Sequence, residues 1–161
     1  MSRRALLKPF AATLLLITLT TQAQNGAPNG AQERGYWRAA SNTARSITGD
    51  ITLAQEKLTI SLWTTPISRI RDLNGPELSA VFDTDSNAAR IGGLYHLSIP
   101  AAKKFLRKNS LCGAEDVQWM VAYAQGNSLQ IAFFSGDKPP VFTFDAVRNS
   151  TDLCGTFTYV K

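Results

Sequence analysis

Short alternations of apolar and polar residues recur along the chain and predict strands rather than long helices. Residues 36–40 form a first strand candidate, and 46–53 alternate in part. Residues 54–57 then turn and 58–63 alternate again, which reads as a hairpin. A further run over 67–73 ends at Asn74-Gly75-Pro76, and Pro76 is placed to open a short helix towards Phe82. Residues 83–93 are small and polar and read as a loop before a strand over 94–99. Pro100 suits the first turn of a helix over 100–109, with Ala101, Phe105 and Leu106 on or near one side and Asn109 as its stop. In the C-terminal third, Val117, Trp119, Val121 and Tyr123 alternate with other residues, and 129–134, 141–145 and 156–160 follow, separated by turn residues. Strand and turn signals spaced near every ten residues predict a mainly β fold. It is expected to be a small antiparallel barrel or sandwich of about eight strands with one mid-chain helix (100–109).

The N-terminus has a different pattern. Ser2-Arg3-Arg4-Ala5-Leu6-Leu7-Lys8 is a positive start, 10–19 an apolar run, and Thr21-Gln22-Ala23 a small-residue cleavage site. Residues 1–23 therefore read as a signal peptide. The start resembles a twin-arginine export signal: Arg3, Arg4, Leu7 and Lys8 match, and Leu6 stands where Phe is usual. The expected destination is a bacterial periplasm or beyond. Residues 24–34, rich in Asn, Gly, Ala and Pro, read as a flexible tail, and 35–161 as a single β-rich domain. No later run approaches the 18 apolar residues of a membrane-spanning helix. Cleavage also changes the charge. The whole chain carries 17 basic and 12 acidic residues; loss of Arg3, Arg4 and Lys8 leaves 14 against 12, a net of +2. A nucleic-acid-binding role loses its main support.

Cys112 and Cys154 are the only cysteines, each followed by Gly. In an exported chain an even count predicts a bridge. It closes a loop of 43 residues counted inclusively, and such a loop contributes about 2–4 kcal/mol. Redox pairs lie two residues apart near a helix start, so this pair is expected to be structural. With one histidine and two cysteines, a zinc site cannot be completed without carboxylates. Neither a phosphate-binding Gly-rich loop nor a nucleophile elbow occurs.

Four groups of residues are candidates for chemistry. Asp83, Asp85 and Asn87 have the opening spacing of a calcium loop, but Ala88 and Leu94 occupy the positions that need Gly and Glu. Lys103, Lys104, Arg107 and Lys108 form the densest positive cluster of the mature chain, a possible anion-binding face for phosphate, lipopolysaccharide or anionic lipid. His96 lies in an apparent strand with no orienting acid in the pattern. Asp50 and Glu115-Asp116 are the carboxylates from which a hydrolytic pair would be drawn.

Two resemblances add to this reading. Gly35-Tyr36-Trp37 looks like the Gly-x-Trp signature of lipocalins. That likeness implies an eight-stranded barrel whose Trp closes one end under a late cation, a part open here to Arg148. The chain departs from lipocalins in carrying its helix in mid-chain and ending in a strand. More broadly, Trp37, Ala44, the 47–51 run, 109–113 and 152–159 resemble a group of small exported bacterial proteins of unknown function, a likeness that brings no activity with it. No cofactor is expected. The leading expectation is a monomeric, non-catalytic binding or envelope-associated protein. Its partner would be a small apolar ligand or another exported protein. The alternative is a small hydrolase with a carboxylate pair.

Overall fold

A computed structural model describes residues 30–86 and 91–161. The leader (1–23), the first part of the expected tail (24–29) and Asn87 lie outside the described residues. Eight strands form one closed antiparallel barrel, each hydrogen-bonded to the next and the last to the first. They are β1 (Gly35–Ala39), β2 (Ile51–Leu53), β3 (Lys57–Ile60), β4 (Trp63–Leu73), β5 (Gly92–Ile99), β6 (Val117–Gln125), β7 (Ser128–Phe134) and β8 (Leu153–Val160). Three α-helices accompany them among the described residues: α1 (Asn42–Ile47), α2 (Gly75–Phe82) and α3 (Phe144–Arg148). Closure at the β1–β8 seam is short, pairing Arg38 with Val160 and Ala39 with Tyr159. Ser41 extends it. Its hydroxyl accepts the Thr158 N–H at 3.1 Å while also capping α1 by accepting from Ala44 N at 3.1 Å.

The early strands alternate as a one-sided sheet should. Trp37, Ile51, Leu53, Leu58, Ile60 and Ile67 point inward and their neighbours outward. The later strands do not alternate cleanly, because both their faces are buried. Met120, Ala122, Ala124, Leu129, Ile131, Phe133, Phe157 and Tyr159 join the barrel core. Leu94, Trp119, Val121, Tyr123, Ala132 and Phe134 form a second cluster with Leu78, Val81, Phe142 and Val147. Helices α2 and α3 thus cover the outside of β5–β7. Val117 departs from the expected face and joins the barrel core, past the register shift between His96 and Ile99.

α2 is well specified. Asn74 and Glu77 exchange capping-box bonds of 3.1 and 3.0 Å, Pro76 occupies the first turn, and Arg71 grips Glu77 at 2.7 and 3.1 Å. This is the mid-chain helix.

The helix expected over 100–109 does not form. The segment holds a turn closed by Lys103 N to the Pro100 carbonyl at 2.9 Å and a single 3₁₀ turn, Leu106–Lys108. Arg107 and Lys108 adopt left-handed backbone, φ 54° and 62°. Between Phe105 and Asn109 the hydrogen bond runs from Phe105 N to the Asn109 carbonyl at 2.8 Å, opposite in sense to a helical one. A helix here would stack four cations one turn apart with no acid between them. The chain instead turns Phe105 against Trp63, with ring centroids 6.0 Å apart, and Asp116 takes the Ala101 N–H at 2.8 Å.

Three further expectations are corrected. Ser46 and Ile47 belong to α1, because Ser41 caps it and Ala44 and Ile47 turn onto the barrel core. Residues 144–148 are helix α3, capped by the Thr143 hydroxyl accepting from Ala146 N at 3.3 Å, so no strand runs over 141–145. Residues 30–34 of the expected tail form a turn that buries Glu33.

Candidate functional site

The antiparallel order puts the two sets of connections at opposite ends of the barrel, and each end carries a distinct group of side chains. At the first end, the turn before β1 lays Glu33 across the barrel mouth. Trp37 Nε1 donates to the Glu33 carbonyl at 2.8 Å, so the buried indole holds the turn in place. The Glu33 side chain is 3% exposed. Its Oε2 accepts from the Tyr95 hydroxyl and, at 3.0 Å, from Arg69 NH1. Arg69 also donates to Asp72 at 3.0 Å and to the Gly92 carbonyl at 3.1 Å, and its guanidinium lies 5.2 Å from the centre of the Tyr95 ring. The register shift in β4 between Arg69 and Arg71 aims Arg69 into this cluster.

Glycines make the space. A Cβ on Gly93 would stand 2.3 Å from Arg69 NH1, and one on Gly30 2.6 Å from the same atom. Burial pushes the Glu33 carboxyl above its usual range, and the Tyr95 and Arg69 contacts offset only part of that. Burial and the Glu33 charge raise the Tyr95 hydroxyl as well. An acid closed off from solvent and bonded to a guanidinium and a phenol is arranged to lock two elements together.

The second end is closed by α1 and residues 105–112. Ala44 and Leu111 enter the barrel core, and Ile47, Phe105, Trp63, Cys112 and Cys154 pack against it. Thr48 and Tyr159 share a hydroxyl bond of 2.8 Å. Cys112 and Cys154 are bonded, with Cα atoms 4.7 Å apart, tying this loop to the start of β8. Asn109 Nδ2 donates to the Ser46 carbonyl at 3.1 Å, joining the loop to α1.

The four cations expected on one helical face are redistributed over this closed end. Lys103 Nζ lies 5.3 Å from the centre of the Trp63 ring and 5.9 Å from that of Phe105. Lys104, Arg107 and Lys108 are exposed. Arg107 and Arg45, with Asn42, Thr43 and Ser46, line a shallow polar depression of about 480 Å³. The sequence reading missed Arg45, which only the fold brings to this cluster. It also missed Leu62, which is 102% exposed at the β3–β4 turn, the most of the large apolar residues described.

Asp83 terminates α2 in left-handed backbone, its N–H donating to the Ser79 carbonyl at 2.9 Å, and Asp85 follows on the surface. Among the described residues no group of three His, Cys, Asp or Glu is placed to hold a metal ion. Asp50 accepts from the Tyr36 hydroxyl and from Ala39 N at 2.9 Å, contacts that hold its carboxyl below the usual range. Glu115 is exposed in the loop before β6, so the two acids occupy different loops. His96 stands on the outside of β5, edge-on to Trp119 at 4.9 Å. The cation over Trp37 is Lys161, 4.6 Å from the ring centre; Arg148 ends α3 on the surface. Comparison with protein-family models, with curated proteins and with solved structures finds no match.

Proposed function

We propose that this protein is an exported, non-catalytic binding module of the cell envelope that engages its partner with its outer surface. The observation that carries this reading is the occupancy of the barrel. Trp37, Met120, Phe133, Phe157 and Tyr159 fill its interior, and both ends are covered by the chain itself. Eight-stranded barrels either hold one small ligand or fill their interior with side chains, and this one has the second character. Large apolar groups meanwhile remain outside: Leu62 at the second end, Val141 just before α3 and Phe144 at its first position. The bridge and the leader-like N-terminus support export.

Native mass spectrometry of the processed protein from its own compartment tests this. The expected spectrum is the bridged chain with no retained small molecule. Titration with a fluorescent fatty acid should show no saturable one-to-one site. A stoichiometric apolar ligand, in either experiment, would return the function to the barrel interior.

A further inference from the structure

The second end combines three features that no other described part of the surface combines. The first is a protruding apolar tip. Ser61 takes left-handed backbone (φ 55°), its hydroxyl donates to the Thr48 carbonyl at 3.0 Å, and the tight turn so fixed holds Leu62 clear of the protein. The second is an aromatic shelf beneath the tip: Trp63 and Phe105 are half-buried and meet edge to face. Leu106 continues it, exposed and seated over Gly49. The third is a local excess of cations, with Asp50, Glu115 and Asp116 confined to the far parts of the same two connections. Residues 42–48 and 100–109 contain Arg45, Lys103, Lys104, Arg107 and Lys108 and no acid.

We infer that this end is a docking surface for an anionic phospholipid bilayer. Leu62 and Leu106 enter the acyl boundary, Trp63 sits at headgroup depth, and the surrounding cations take the lipid phosphates. The chemistry of the rim selects this occupant. A protruding aliphatic tip with an indole at its base, Lys103 against that indole and Arg45 and Arg107 sharing a depression at the same end, matches the layers of a bilayer surface: acyl chains, headgroup interface, phosphate. The left-handed backbone at Arg107 and Lys108 turns this part of the rim into consecutive exposed cations, as a helix would not. The bridge and the Asn109 bond hold the loop rigid, so little order has to be gained on docking. The inference rests on the outer-surface reading proposed above and names its partner.

The test uses the processed, bridged protein as recovered from its compartment, because an uncleaved leader would bind lipid by itself. Sedimentation with vesicles of 30% phosphatidylglycerol in phosphatidylcholine should carry the protein down at low salt. Pure phosphatidylcholine vesicles should not, and added salt should release it. Trp37 and Trp119 are buried, so brominated lipid should quench Trp63 selectively. Leu62→Ser touches no core contact and should weaken binding about ten-fold. Lys104→Glu with Lys108→Glu should weaken it at least 25-fold, at about five-fold per cation removed. Equal binding to both vesicle types, no binding at low salt, or variants that bind like the wild type would each overturn the inference. So would a photoreactive group at position 62 that cross-links in cells to a protein and not to lipid. Because Leu62 and Lys104 are surface residues, folding of the variants is checked by an unchanged urea midpoint. Failure here with no ligand retained in the mass spectrum would leave the outer-surface reading standing.

Discussion

Replacing Arg69 by Met should destabilise this protein more than replacing the acid it serves. The reason is which group is left behind. Glu33 is 3% exposed and Arg69 19%. Arg69→Met leaves a carboxylate at the closed mouth with only the Tyr95 hydroxyl to satisfy it, and breaking a buried pair in this way costs about 3–5 kcal/mol. Tyr95 still donates and Arg69 keeps some contact with water, so about 3 kcal/mol is expected, near the lower end of that range. Glu33→Gln keeps an acceptor for Tyr95 and Arg69 and removes a charge that burial disfavours. It should cost no more than about 1 kcal/mol. The double variant Arg69→Met/Glu33→Gln should recover about 2 kcal/mol of the Arg69→Met loss, since no buried charge then remains unpaired.

Urea unfolding at pH 7, followed by far-ultraviolet circular dichroism, measures all four proteins. At about 2 kcal/mol/M the Arg69→Met midpoint should fall by more than 1 M. The pH dependence gives a second readout. The folded Glu33 carboxyl titrates above its unfolded value of 4.5, so between those two values the native state binds more protons than the unfolded state. This group's contribution therefore grows as pH falls through the folded value to 4.5 and is level below it. Arg69→Met widens that window upward, and Glu33→Gln abolishes it. Asp50 and Glu77, whose carboxyls are lowered, act oppositely and at lower pH, losing their contribution as pH falls through their folded values. An Arg69→Met loss under 1 kcal/mol, or no rescue by Glu33→Gln, would refute the reasoning.

Three other outcomes are expected. Reducing the bridge, or replacing Cys112 and Cys154 by Ser, should lower stability by about 2–4 kcal/mol in urea unfolding, without loss of the β signature in circular dichroism. Gly92→Ala sets a Cβ 2.8 Å from the Ala122 carbonyl oxygen and 2.6 Å from Leu78; with backbone on one side it should cost about 1–3 kcal/mol by the same assay. Lys161→Ala, which removes the cation over Trp37, should cost about 0.5–1 kcal/mol, whereas Arg148→Ala should be silent; the reverse order would place the barrel-closing cation on α3.

The strands were legible where an alternating or apolar run is bounded by turn residues, including 117–123, 129–134 and 156–160 in β6, β7 and β8, whose two faces are both buried. Residues 58–63 and 94–99 lie close to β3 with the start of β4, and to β5. Legibility fell where local chemistry competes with alternation. Around α1 a serine cap outweighs a partly alternating run, and in 141–148 a threonine cap does the same. The 100–109 segment misled because Pro at the start and a sparse apolar stripe are compatible with a helix and not sufficient for one. Its only large aromatic, Phe105, finds Trp63 from non-helical backbone (φ −110°, ψ −143°). Glu33 could not be found from the sequence at all. It lies in a polar, Gly-containing stretch, and its partners Arg69 and Tyr95 are 36 and 62 residues away. Leu62 was visible as an apolar residue within a strand-like run, and its outward projection depends on the backbone of Ser61.

The asymmetry of burial around the barrel also constrains where any partner can bind. β5–β7 carry α2 and α3 on their outer faces, so that side of the barrel is already occupied by the protein's own second core. The first end is filled by the Glu33–Arg69–Tyr95 lock, whose glycine cradle leaves no room for an added methyl group. What remains open is the outside of β1–β4, where Tyr36 and Ile70 are exposed, and the second end. Ile70 and Ile91 are also exposed, but among the described residues the second end is where an exposed aliphatic tip meets a run of like charges, and the bridge spans its loop. Rigid support beneath an exposed apolar and cationic rim is the arrangement a docking surface needs, because ordering entropy is then already spent in folding. A partner that required a mobile loop would have no use for a bridge at this position.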